Sequence, residues 1–303
     1  NDHIFEQLTH PQVGLYQATG HPKRKKEDNV TLCNLDGNSY RCRGFGLDVL
    51  NLIHPISEDN EYFLENTSYD NYSRQASSLK EQLEEFDTYK WHRSNYWSLM
   101  YTLNEYLEDK DMKKPAFAET QAWERRKLDA SLGAWTDLQL SRDILNTYQQ
   151  QADKDSFGGS AGSRINEYAY VEPDLSLVNE LLSNSEMLLG MFNSLRITDE
   201  AVSVKTDMER MIERLEKIRK IVRKELKGRT LSEDNYKFLH EFIHQYQVAE
   251  KGDKTKYIYF EDKKGKMVES IDGVELFLVA HKKDDKIFFS VGPVFNYEES
   301  FYR

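Results

Sequence analysis

Apolar residues along most of this chain recur at helical spacing. Leu79, Leu83 and Phe86 share one face of a segment otherwise rich in Glu and Lys, which predicts an amphipathic helix over 72–87. A second helix follows over about 91–108, with Trp91, Trp97, Tyr101 and Leu107 on overlapping faces, the pattern of a largely buried element. A third runs over about 118–150 and carries Trp123, Leu128, Leu132, Trp135, Leu138, Ile144 and Leu145; Gly133 at its middle suits either close helix packing or a bend. Beyond Pro173, Leu175, Val178, Leu182, Leu189, Phe192 and Leu195 form another stripe. Thr198 then caps a long helix in which Val204, Met208, Met211, Leu215, Ile218 and Val222 alternate spacings of three and four, a coiled-coil seam that Gly228 ends. Ser232 with Asp234 and Asn235 starts a last helix bearing Tyr236, Leu239, Ile243 and Tyr246, so 173–249 reads as an antiparallel three-helix bundle.

After Lys251 the period changes to two. Tyr257-Ile258-Tyr259-Phe260, Val274 to Ala280 and Lys286 to Val291 read as strands separated by turns at Lys264-Gly265 and Asp284-Asp285. Residues 1–70 are irregular, with loops, short strands and one apolar run from Leu47 to Ile53 that suits one or two helical turns. The expected fold is mainly α within the α+β class: a helical bundle with long antiparallel helices plus a small carboxy-terminal antiparallel β-sheet. Residues 1–152 and 165–303 are expected to pack as one unit across a flexible linker at 153–164. That linker, DKDSFGGSAGSR, lacks the Gly-Lys-Ser/Thr ending of a phosphate-binding loop.

Composition narrows the function classes. With 303 residues, 39% of them hydrophobic, and 18 Tyr, 15 Phe and 4 Trp, the chain can bury an aromatic-rich core. A net charge of −11 argues against nucleic acid as a partner, because phosphate neutralisation needs a basic face. The one basic run, Lys23 to Lys26, is closed at once by Glu27 and Asp28 and reads as a solvated loop. No apolar stretch has the length of a membrane span. The sequence opens on Asn1-Asp2-His3 without an initiator Met, which raises the expectation of a processed product or fragment. The two cysteines, Cys33 and Cys42, flank a turn-rich stretch; a disulfide there would stabilise by roughly 2 to 3 kcal/mol, and two free buried thiols are the alternative. Sequons at Asn29, Asn66 and Asn71 are glycosylation candidates and point toward a secretory route.

Six ordered stretches add a family resemblance: NDHIFEQLTHPQVG at the start, RGFGLDVLNLI at 43–53, YWSLMYTLNEYL at 96–107, FAETQAWERRKLDASLGAWTDLQ from Phe117, YVEPDLSLVNEL from Tyr170 and GPVFNYEES near the end. Together they resemble the secreted and lipoprotein-like bacterial family catalogued as domain of unknown function 3160. The resemblance implies that the chain is the carboxy-terminal portion of a longer parent, secreted, periplasmic or at the cell surface, whose remaining amino-terminal half or other protein subunits would be its partners. It supplies no catalytic residues. The family's Trp-x-Asp/Glu-Leu element tends to continue with a His-Asp pair, whereas here Trp135-Thr136-Asp137-Leu138 is followed by Gln139-Leu140-Ser141.

Two motifs carry potential chemistry. His240-Glu241-Phe242-Ile243-His244 is an H-E-x-x-H sequence: two histidines at i and i+4 can share one Zn²⁺ while Glu241 reaches the metal-bound water as general base. Its helix follows a bundle and not a sheet, and Glu250, Glu261 and Glu269 are third-ligand donors without a recognised spacing. The second motif is Glu119, Trp123, Glu124, Asp129, Trp135 and Asp137, carboxylates among aromatics as in carbohydrate sites, but equally the makings of helix packing and ion pairs. Two functions are therefore expected: a non-enzymatic extracytoplasmic structural or interaction protein without cofactor, or a hydrolase, either a zinc peptidase through His240 and His244 or a glycan-acting enzyme.

Overall fold

The computed structural model describes residues 33–35, 38–40, 46–56, 72–108, 114–144, 169–197, 202–246, 256–262, 265–283 and 286–302. A short hairpin of β1 (Cys33–Leu35) and β2 (Asn38–Tyr40) leads to helix α1 (Gly46–Ile53). Helices α2 (Tyr72–Glu84), α3 (Thr88–Trp91), α4 (Asn95–Leu107) and α5 (Gln121–Ile144) follow, α5 preceded by a 3₁₀ turn at Ala116–Glu119. Then come α6 (Leu175–Ser194), α7 (Val202–Leu226), α8 (Glu233–Tyr246) and the strands β3 (Lys256–Asp262), β4 (Gly265–Lys283) and β5 (Lys286–Tyr302). The architecture is α+β, mainly helical, with the antiparallel sheet at the end of the chain.

The principal core gathers around α1. Leu47, Val49, Leu50 and Leu52 are all buried, and they pack with Ala76 and Leu83 of α2, Trp97, Met100 and Leu103 of α4, Leu132 and Trp135 of α5, and Tyr297 of β5. The single helix expected over 91–108 is two. Asp87 caps α3 by accepting from Lys90 N at 2.8 Å, and Ser94 restarts the chain as α4 by accepting from Trp97 N at 3.3 Å. That break lets Phe86, Trp91 and Trp97 meet edge to face, with ring centroids 5.1 to 5.7 Å apart. Gly133 serves close approach: a Cβ there would lie 2.9 Å from the Phe295 ring.

Helices α6 and α7 pack against each other, and α6 also packs on α4, where Asn184 Nδ2 donates to Thr102 Oγ1 at 2.9 Å. Asp174 caps α6 by accepting from Leu177 N at 2.8 Å. Helix α7 ends in a left-handed Gly228 at φ 63°, with Arg229 N donating to the Lys224 carbonyl and Gly228 N to the Glu225 carbonyl. α8 joins through Leu239 against Ile221 and Leu231. The seam of α7 closes only in part, since Met208 and Val222 are buried while Val204 and Met211 are exposed.

The sheet has the order β3-β4-β5 and is antiparallel throughout. β4 and β5 are far longer than their alternation predicted, and the register shifts between Ile271 and Val274. This bulge lets one hairpin serve two cores. At its base, Ile271 and Tyr297 are buried on the side facing α1 and α5. Beyond the shift, the opposite face, with Phe277 and Val279, packs on Phe117 and Trp123.

Candidate functional surface

The H-E-x-x-H segment lies on α8 as expected, with His240 half-buried, Glu241 exposed and His244 one turn further on. Among the described residues no three His, Cys, Asp or Glu side chains gather as a metal-binding group. Trp123 and Trp135 of the carbohydrate-like cluster do not share a surface. Trp123 is buried against Phe117 and Phe277, whereas Trp135 is fully buried in the principal core, its Nε1 without a hydrogen-bond partner. Glu119, Glu124 and Asp137 point to solvent on the same stretch of chain, and Asp129 is half-buried. Cys33 opens β1, with Tyr40 opposite it in the hairpin register. Cys42 and the sequons Asn29, Asn66 and Asn71 lie outside the described residues.

Two polar assemblies arise that the sequence motifs did not signal. In the first, Arg126 of α5 pairs with Glu172 at 2.7 Å while Tyr106 of α4 donates its hydroxyl to the same carboxylate at 2.5 Å. Beside them Lys127 pairs with the buried Asp174 at 3.2 Å, and its ammonium lies 4.7 Å from the Tyr106 ring centroid. Burial raises the Asp174 carboxyl above the ordinary carboxylate range, against the pull of Lys127 and the Leu177 amide. Burial together with Glu172 lifts the Tyr106 phenol well above its ordinary value. This network ties α5 to the start of α6, and its groups are used up on one another.

In the second, Glu269 and Glu299 stand directly opposite on β4 and β5, an arrangement that repels unless something positive faces it. The first amides of α1 do. Gly46 N donates to Glu269 at 2.7 Å and Leu47 N to Glu299 at 3.1 Å, and the Tyr297 hydroxyl donates to Glu299 at 2.8 Å. Tyr297 is fully enclosed, and burial with the adjacent Glu269 charge raises its phenol well above the ordinary value. A Cβ at Gly46 would lie 2.7 Å from the Tyr297 oxygen, so glycine is required for this approach. The assembly anchors a helix.

An aromatic group covers the inner face of the β4–β5 hairpin. His281 stacks on Phe288 at 4.8 Å with planes 6° apart, near Tyr170 at 4.9 Å and Phe117 at 5.3 Å. His281 Nε2 and Ser290 Oγ are 2.6 Å apart. Burial lowers the His281 pKa and keeps the ring neutral near pH 7. Enclosed by three rings, the imidazole packs.

What remains open is the other face of the same hairpin. Leu276, Leu278, Ile287, Phe289 and Val291 are 78%, 60%, 68%, 60% and 59% exposed. The pairs Leu278↔Val291, Ala280↔Phe289 and Lys282↔Ile287 place them side by side in one strip. The sequence does carry the signal: apolar residues on both parities of Val274 to Ala280 and of Ile287 to Val291 are those of a strand covered on two faces. A second exposed apolar group, Met187, Met191, Leu195, Val202 and Val204, lies where α6 passes into α7. Among the described residues no helix is long and apolar enough to cross a membrane.

No curated protein and no solved structure matches this chain. The model of the family described as "Protein of unknown function (DUF3160)" matches residues 2–302, nearly its whole length, and the chain belongs to that family.

Proposed function

We propose that this chain is an extracytoplasmic or cell-surface interaction protein that works by presenting a protein-binding face. The exposed apolar strip on β4 and β5 supports this reading. A lone exposed Leu is ordinary, but several large apolar side chains in adjacent register positions form one contiguous patch, the kind of surface that is often functional. The polar assemblies, by contrast, are occupied in holding elements together.

The test is covalent capture in the intact protein. A photo-crosslinking phenylalanine replaces Phe289, with the same group at Tyr89, 81% exposed and off the strip, as control. A discrete protein adduct from position 289 and none from position 89 is the expected result. Silence at both positions in the native setting retires the reading.

The zinc peptidase is kept as a second reading because His240 and His244 fall one turn apart on a formed helix with Glu241 exposed between them. About one zinc per chain, lost in His240→Ala, would make peptide hydrolysis the first assay.

A further inference from the structure

We propose that the occupant of the β4–β5 strip is a second copy of this chain, docked strip against strip about a two-fold axis. This inference rests on the interaction reading above and names its partner. Area is the first argument. The five strip side chains, each at least 59% exposed, present roughly 600 Å² of apolar surface, taking about 150 to 200 Å² for each when fully exposed. Exposed Ala280, the partly exposed Phe295 and the Lys282 stem extend it toward the ~800 Å² that each partner gives to a standard interface. One strip on each of two copies therefore approaches the size of a standard interface, and it stands at the top of the about 300 to 600 Å² range of the largest patch on a typical monomer, a patch that is often functional.

Shape is the second argument. An isologous contact requires a patch that complements itself. Here the largest side chain, Phe289, sits in register beside the smallest, Ala280. A two-fold axis over the strip carries Phe289 of each copy toward the Ala280 of the other, so one protrusion fills one depression twice. The core of the strip has no side-chain hydrogen-bonding group to desolvate, and Lys282 stands at its end, at the rim. β5 is moreover the terminal strand of the sheet order, so the strip lies beside an edge with no neighbouring strand among the described residues.

Charge sets the salt response. Each copy carries a net charge of −11, so two copies repel at long range, while the contact itself is apolar. Association should therefore tighten as salt rises and the repulsion is screened.

The experiment is sedimentation equilibrium of the full chain from about 0.1 to 100 µM at low and high salt, beside a Leu278→Lys, Phe289→Lys variant checked by circular dichroism. A wild-type dimer that tightens with salt and weakens at least 100-fold in the variant is expected. The photo-crosslinking group at position 289 should then join two copies within 276–291. A wild-type chain that stays monomeric, or a dimer that the variant leaves intact, overturns the inference. An adduct from position 289 with a different protein also overturns it but preserves the interaction reading, and no adduct with any protein sinks both.

Discussion

The two faces of the β4–β5 hairpin are built from the same kinds of residue and meet opposite fates. On one, Phe277, Val279, His281 and Phe288 are enclosed by Phe117, Trp123 and Tyr170. On the other, Leu276, Leu278, Ile287, Phe289 and Val291 face solvent. Side-chain chemistry does not separate them; what differs is the availability of a covering element. The 3₁₀ turn and the start of α5 reach the first face, and no described element reaches the second. A strand's hydrophobicity thus reports that a face is meant to be covered, without saying by which chain.

Substitutions on the enclosed and the open sides should separate this comparison. The largest effect belongs to the interior: Trp135→Ala, at a fully buried ring, should cost about 3 to 5 kcal/mol in urea unfolding. A loss below about 1 kcal/mol would mean that the principal core does not close around that indole. Next comes Asp174→Ala, which removes the α6 cap and leaves Lys127 buried without its carboxylate; about 3 kcal/mol is expected. The double replacement with Lys127→Met should recover part of that loss, because no buried ammonium is then stranded.

A smaller effect concerns pH. Burial raises the Glu225 carboxyl on α7 to about 8, although Val171 N donates to it at 3.3 Å; its second oxygen is buried without a partner. The folded chain therefore holds a proton that the unfolded chain releases near pH 4.5, so stability is lost as pH rises from about 4.5 through about 8. Glu225→Gln should flatten that slope and be the more stable form above pH 8; an unchanged profile would mean that Glu225 ionises normally. The smallest effect is on the open face. Leu278→Ser should change monomer unfolding by no more than about 0.5 kcal/mol, while Val279→Ser, one residue along and buried, should cost about 2 kcal/mol. Equal losses at the two positions would show that the strip is covered within the monomer.

Much of this architecture could be read in advance. The stripes through Leu79, Leu83 and Phe86 and through Val178 and Leu182 placed helices within a few residues, and Gly228 ended α7 where a left-handed cap was required. The helix break at Ser94 was hidden because large aromatic residues stand on both sides of it, Trp91 before and Trp97 and Tyr101 after, and only the capping hydroxyl marks the restart. Both long strands were cut short by residues that look foreign to a strand when read alone. Glu269 and Glu299 occupy inward positions, so their charge interrupted the alternation that identifies a strand, and Gly292 with Pro293 reads as a turn when seen without its partner. Pro293 is tolerated because β5 has no strand beyond it among the described residues. The aromatic and carboxylate residues near Trp123 and Trp135 looked like a site because they are near in sequence, yet the two indoles fall into separate cores.

The anchoring of α1 bears on synthesis. Its amides meet carboxylates that lie 223 and 252 residues further along the chain. At roughly 5 to 20 residues per second, a ribosome needs about 10 to 50 seconds to supply them. For that interval the most apolar of the described helices waits with its closing partners unmade, and Leu47 to Leu52 stay open to contact with other nascent chains.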